Sequence, residues 1–339
     1  MHRLLDYSPL LLLFAALAAL FAANLYFGAV HIPAEAVTDI LKGGSPERPS
    51  WGFIVLENRL PQAITATLSG AGLAAAGLML QTAFRNPLAG PSVLGIDGGA
   101  NLGVAIAMLL MGGTLMAGEF SLSGFVLVVA AALVGAWAIM AVLIAFSHIL
   151  RSSTMLLITG VMIGYLTSSA ISLLNYGATE EGVRSFMVWG LGSFSNVTID
   201  RLPAFCATMG VGLLCAMLLV KPLNALLLGE RYAANLGINV SRTRTLLLFA
   251  TGLLTATSTA FCGPIAFIGL AVPHIARLLL GTANHRILMP ATLLAGGALA
   301  LLCNLIARLP GFEGALPVNS VTALVGAPVI ATVLFKRKD

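Results

Sequence analysis

"FRNPLAGPSVLGIDGGANLG", residues 84–103, lies between two strongly apolar runs. It opens on Phe84 and Arg85, carries Pro87 and Pro91, and contains five glycines. Neither a helix interior nor a strand interior accommodates that composition. The run before it, "LPQAITATLSGAGLAAAGLMLQTA", and the run after it, "VAIAMLLMGG", are each close to the roughly 20 apolar residues that cross a hydrocarbon core, or part of such a stretch. The segment therefore reads as a tight turn at a membrane face that leads into a helix obliged to pack closely.

The rest of the chain agrees with a membrane setting. Of 339 residues, 58% are apolar and only 9% charged, with mean hydropathy +0.98. A soluble domain carries about a quarter charged residues, and this chain lacks the polar surface to cover a soluble core. The apolar run from Pro9 to Val30 exceeds the roughly 7–15 residues of a signal-peptide core and no A-x-A-type site with a soluble mature domain follows, so it reads as a first span. The net charge of +5 comes without a basic stripe interleaved with aromatics, which argues against nucleic acid.

Ten spans are predicted, at about 9–30, 60–83, 92–116, 122–147, 154–175, 201–221, 244–262, 265–281, 287–307 and 318–335. Pro273 lies well inside the eighth and predicts a kinked or broken helix. With the N-terminus inside, twelve of the eighteen Lys and Arg fall in inner loops and six in outer ones. That bias places both termini in the cytoplasm. The fold class expected is an all-α integral membrane protein, a single domain over residues 1–339.

Two loops are long enough to hold structure. The outer loop, 31–58, contains "IPAEAVTDIL", where Pro33 and Glu35 suit the start of a short helix. The inner loop, 222–243, reads "PLNALLLGERYAANLGINVSRT". There Gly229 ends one short helix, Glu230 begins another, and Gly237 stands where a C-terminal cap would. Within the spans, "GAGLAAAG" (70–77), Gly95–Gly99–Gly103 and "GVMIG" (160–164) let helices approach closely.

Several chemistries are missing. No G-x-x-x-x-G-K-[ST] loop is present, so the chain has no means of cradling ATP in a P-loop. No H-E-x-x-H occurs, and His2, His31, His148, His274 and His285 are scattered. His274 reads as a polar group satisfied between helices. Cys206, Cys215, Cys262 and Cys303 all fall in apolar runs without a C-x-x-C pair, as small buried hydrophobes do. No catalytic residue and no metal site is expected. Asp97, placed near the inner end of the third span, is the clearest intramembrane charge, and one acid near an interface gives little support to an ion-coupled carrier.

Three long stretches resemble a known family. "RLPQAITATLSGAGLAAAGLMLQTAFRNPLAGPSVLGIDGGA", "CGPIAFIGLAVPHIARLLLGTANHRILMPATLLAGG" and "LPVNSVTALVGAPVIATVLFKRKD" are similar, in that order, to segments of the FecCD-type permeases. These are membrane subunits of ABC importers for iron–siderophore, haem and cobalamin. The resemblance implies a ten-span subunit in the inner membrane of a bacterium and a homodimer, or a pseudo-symmetric heterodimer, with the path at its interface. It implies two separate ATPase subunits inside, which hold the ATP and Mg, and a periplasmic or lipid-anchored binding protein outside. No cofactor is expected on this chain. The cargo expected is an iron chelate (siderophore or haem) or cobalamin, whose permeases share these motifs, and a proton-coupled carrier of a bulky solute is the alternative.

Carried over by position, the resemblance puts Asn86 and Leu88 at a cytoplasmic gate, with Ser152, Ser153 and Thr154 as its other part. It makes Gly229, Glu230, Arg231, Tyr232, Ala233, Ala234, Asn235, Leu236 and Gly237 the coupling helix that seats in the ATPase. It assigns Arg59 and Arg308 to docking of the binding protein, although Gln62 stands where the family often has a second arginine. The fifth span would line the path, and Met162, Leu166, Ser169 and Leu173 fall roughly on one of its faces by helical spacing.

Overall fold

The computed structural model describes residues 8–44, 46–110, 122–150, 153–309 and 316–336. Among these the chain is helical. In order the helices are α1 (Ser8–Tyr26), α2 (Ala34–Leu41), α3 (Pro49–Ala83), α4 (Ile96–Leu110), α5 (Leu122–Ile149), α6 (Ser153–Gly177), α7 (Glu180–Gly190), α8 (Leu202–Leu218), α9 (Val220–Leu227), α10 (Glu230–Asn235), α11 (Val240–Cys262), α12 (Ile268–Leu280), α13 (His285–Ala307) and α14 (Val318–Lys336).

Six of them are long and apolar enough to cross a membrane. A seventh crossing is the pair α8–α9, bent by 46°. Pro222, in the first turns of α9, removes the N–H that would have bonded Leu218 and so permits the bend. Shorter apolar helices lie at Ile96–Leu110, Ile268–Leu280 and Val318–Ala331. Each of the ten expected spans thus has a helical counterpart, and two are shortened by irregular backbone at their starts. Residues 92–95 belong to a 3-10 turn, Pro91–Leu94, ending at Gly95. Residues 263–267 are likewise not helical, with Phe267 at φ +67°. The break expected at Pro273 therefore falls ahead of it, and α12 runs through Pro273.

The first long loop also needs a correction. Its short helix α2 begins after Pro33, with Glu35 in the first turn, where the sequence placed it. The loop ends sooner than expected, because Pro49 starts a continuous helix that includes a π-helical stretch, Phe53–Arg59, before the second span. Proline at a helix's first position costs no hydrogen bond, since that N–H has no partner in any case.

The centre of the molecule is α3. It packs on α13, α11, α12 and α8, and both α3 and α11 are largely buried. An apolar helix covered on every side needs small residues where its neighbours cross, and α3 supplies "SGAGLAAAG" over 69–77. The α4–α5 crossing shows the requirement most directly. A Cβ on Gly99 would lie 2.5 Å from the Gly135 carbonyl oxygen, so these two backbones meet with no side chain between them. Asn24 ties α1 to α13: its Nδ2 donates to the Leu301 carbonyl at 3.0 Å, and Asn304 Nδ2 donates to its Oδ1 at 2.8 Å. By contrast α1, α5 and α6 keep most of their surface outward.

Candidate functional site

The turn after α3 is built by a Schellman motif. Asn86 N–H donates to Gln81 O and Arg85 N–H to Thr82 O, closing the helix end. The left-handed position in that motif is usually glycine; here Arg85 holds it at φ +48°. Asn86 then accepts from the Leu88 N–H at 2.9 Å through its side-chain oxygen, an Asx turn that fixes the next bend. His274 Nε2 reaches the Pro87 carbonyl at 2.8 Å, so His274 is a buried polar group satisfied between segments. Leu88 projects from this turn, 41% exposed. Gly160 of α6 packs against Leu94, a Cβ there lying 2.8 Å from its Cα. The loop and α6 are thus in direct contact. Of the other three gate positions, Ser153 opens α6 and Thr154 is exposed, while Ser152 lies outside the described residues.

The segment 229–237 is a short helix anchored on one side. Ala233 is fully buried, whereas Arg231, Tyr232, Ala234, Asn235, Leu236 and Gly237 are exposed. Gly229 at φ +112° starts α10, and Gly237 at φ +82° ends it in a second Schellman pair, Ile238 N–H to Ala233 O and Gly237 N–H to Ala234 O. Glu230 in the first turn forms an ion pair with Arg244 of α11, Nη2 to Oε1 at 2.6 Å. The helix is short, doubly capped and held at its base, with Tyr232 and Leu236 presented outward.

Asp97 is deeper than the sequence suggested. Because the chain is irregular until Gly95, the carboxylate enters α4 well inside the bundle. Ser92 Oγ donates to its Oδ2 at 2.7 Å, and Thr259 Oγ1 of α11 donates to its Oδ1 at 2.8 Å. Cys262, one turn further along α11, touches Ser69 of α3. At ~1.5 Å per residue that level is roughly 15–20 Å from the Ala83 end of α3, near half of a ~30 Å hydrocarbon core. A cavity of about 160 Å³ lies beside it, lined by Gly90–Val93 on one wall and Ile265–Leu270 on the other.

Arg59, one of the two arginines expected at the docking face, is held by backbone. It is fully buried, and its guanidinium donates to the carbonyls of Leu25, Tyr26 and Val30. Those carbonyls belong to the C-terminal end of α1 and the turn after it, which lack helical partners and favour a cation. Arg308 is half-buried beside it; a Cβ on Gly28 would lie 3.1 Å from Arg308 Nη2 and 3.2 Å from Arg59 Nε. Burial, and then the neighbouring Arg59 charge, pull the Arg308 pKa down to about 10, so it stays charged at neutral pH.

On α6, Met162, Leu166, Ser169 and Leu173 are all exposed and share one face, and Leu173 keeps 75% of its surface. Sequence spacing missed Tyr165 and Tyr176 beside them, the latter 94% exposed. It also missed Arg85 and Arg244, whose partners lie in other segments, and Arg201, whose guanidinium sits 3.6 Å over the Phe125 ring. Burial lowers the Arg201 pKa, partly offset by Asp200. For Arg85 and Arg244 the signal was simple: an arginine at a span end with no acid nearby in sequence. Among the described residues no group of three or more His, Cys, Asp and Glu could hold a metal ion.

Comparison with known proteins matches residues 15–336 to the FecCD transport family. The vitamin B12 import system permease protein BtuC of Klebsiella pneumoniae is 38% identical over 287 residues, 84% of this chain and 83% of that protein. BtuC of Salmonella typhi is 38% identical over 284 residues, 84% of each chain. A solved structure described as an inward-facing conformation of a metal-chelate type ABC transporter superposes with TM-score 0.80 at 31% identity, covering 96% of this chain and 97% of that one. PsaBC from Streptococcus pneumoniae shares the fold alone, with TM-score 0.50 and 14% identity.

Proposed function

The chain belongs to the FecCD transport family and is a multi-pass permease subunit of an ABC importer, without catalytic activity of its own, and from that premise we propose its cargo, partners and moving parts. Membership replaces the alternative of a proton-coupled carrier. The cargo is a metal-bearing macrocycle or chelate. Cobalamin comes first for testing because relatives at 38% identity are vitamin B12 permeases, ahead of an iron chelate, whose permeases share the same sequence motifs. The chain sits in a bacterial inner membrane with both termini cytoplasmic, consistent with the excess of Lys and Arg on that side. It pairs with a second copy, two ATPase subunits that bind ATP and Mg, and a substrate-binding protein outside.

The observation that carries this reading is α10: a capped six-residue helix, anchored by Ala233 and Glu230, with Tyr232 and Leu236 exposed. A short rigid helix held at one end transmits force as a lever. ATP binding closes the ATPase pair, displaces α10, and shifts the turn at Asn86 and Leu88 and the start of α6 at Ser152–Thr154. Met162, Leu166, Ser169 and Leu173 face the path. Arg308 meets an acidic residue of the binding protein, and Arg59 supports it from below.

Replacing Glu230–Gly237 by a flexible Gly/Ser linker tests the lever. Membrane insertion stays intact, while co-purification of the ATPase and cobalamin uptake into vesicles are lost. Normal uptake by that variant overturns the assignment, as does ATP hydrolysis by the purified chain alone.

A further inference from the structure

We propose that two arginines wire the coupling segment to the two gate segments, Arg85 holding the first and Arg244 the second. The proposal rests on the coupling role given to α10 above and names the residues that carry its motion onward.

Arg85 is the more informative. It occupies the left-handed position that closes α3, at φ +48°, where glycine would be free of strain. An L-residue held in that conformation is disfavoured, so its side chain must return something the backbone loses. The Arg85 guanidinium crosses to the α9–α10 turn, where Nη2 donates a long bond, 3.4 Å, to the Leu227 carbonyl. It also covers Gly229, whose absent Cβ would lie 2.6 Å from the same Nη2. One residue after Arg85 begins the Asn86–Leu88 turn. A second connection runs alongside. Asn224 of α9 accepts from the His285 backbone N–H at 2.8 Å and meets His285 Nδ1 at 3.0 Å, and His285 Nε2 meets Thr82 Oγ1, in the last turn of α3, at 2.8 Å.

Arg244 serves the other gate. Its Nη2 pairs with Glu230, the first residue of α10, while its Nη1 makes long bonds to the Ser147 and Leu150 carbonyls at 3.4 and 3.5 Å. Leu150 directly precedes the 151–154 segment. A cation near the unsatisfied carbonyls of a helix end is ordinary capping. Capping does not require the same planar guanidinium to hold the first residue of α10 as well. Its fork geometry permits both at once, which a lysine amine does not. The ends of α5 and α10 are therefore joined through one side chain, and they separate only by breaking its ion pair or its bonds to the α5 carbonyls.

The test uses the complex of this chain with its ATPase in nanodiscs, with spin labels on exposed positions and distances measured with and without a non-hydrolysable ATP analogue. Labels at Tyr232, Leu88 and Thr154 report the coupling helix, the first gate and the second. In the parent all three shift with nucleotide. Arg85→Gly removes the side chain and relieves the backbone, so the variant melts no lower than the parent. Its Tyr232 shift persists while the Leu88 shift is at least halved. Arg244→Gln does the same to Thr154. Should that variant fail to assemble, Arg244→Lys, which reaches Glu230 or the carbonyls but not both, gives the smaller Thr154 shift. Undiminished Leu88 and Thr154 shifts in these variants overturn the wiring and leave the lever standing. A Tyr232 label that ignores nucleotide in the parent overturns the lever itself.

Discussion

Arg59 and Arg308 lie side by side and differ in what they hold. Arg59 satisfies three carbonyls at the end of α1 from a position without solvent. Charged hydrogen bonds contribute about 1.5–3 kcal/mol each, and buried acceptors left bare cost comparably. Arg59→Ala is therefore expected to destabilise the chain by roughly 3 kcal/mol or more, seen as a clear drop in the melting temperature of the detergent-solubilised protein. Cargo-protein affinity at a condition where the variant is still folded changes far less. Arg308 behaves oppositely. It is half-buried and charged at neutral pH, so Arg308→Glu leaves melting close to the parent and weakens binding-protein docking about tenfold at low salt, less as salt rises. Equal docking for Arg308→Glu and the parent at low salt removes Arg308 from that interface.

Elements meet through missing side chains, and the α4–α5 crossing is one of the tight ones. Gly99 and Gly135 face each other's backbone, leaving no room that a rotamer change could supply. Gly99→Leu is expected to cost about 1–3 kcal/mol or more through overpacking and to lower folded yield in membranes, whereas Gly164→Ala, where a Cβ meets nothing within 4 Å, is tolerated. At the α9–α10 turn, Gly229→Ala meets both a φ of +112° and the Arg85 guanidinium, so α10 is expected to lose its fixed position and ATPase co-purification to fall. These crossings explain what the sequence could disclose. Span count, the α2 start at Pro33 and the caps at Gly229 and Gly237 are local: hydropathy, a fixed proline φ and a left-handed glycine each act within a few residues. The early start of α3 was hidden because "PSWGFIVLENRL" mixes charge with apolar residues. The depth of Asp97 depends on where α11 and α4 meet, and the burial of Arg59 on the end of α1, 33 residues earlier for its Tyr26 contact. Contacts of that range leave no periodic mark. Nor does spacing alone tell an arginine that caps a helix from one that docks a protein.

Among the exposed apolar surfaces of the molecule, that of α6 also carries polar positions. Along α6, Met162, Tyr165, Leu166, Leu173 and Tyr176 stand outward, and the helix is the least buried of the long ones apart from α1. Lipid could solvate such a face, but Tyr165, midway along the helix, does not match the interfacial belts that lipid contact favours, whereas Tyr176 at its end does. Ser168, Ser169 and Ser172 also lie on exposed positions of this helix, and hydroxyls facing hydrocarbon gain no partner beyond their own backbone. A second copy across a hydrated path provides for both the apolar and the polar positions. With Cys206, Cys215, Cys262 and Cys303 replaced by alanine, Leu173→Cys in native membranes is expected to form a disulfide-linked dimer on mild oxidation. The label at Leu11→Cys, on the exposed face of α1, stays monomeric under the same conditions. Dimer formation at Leu11 and none at Leu173 would place the second copy on α1 and make the α6 face a lipid contact. The path residues would then have to be sought on another helix.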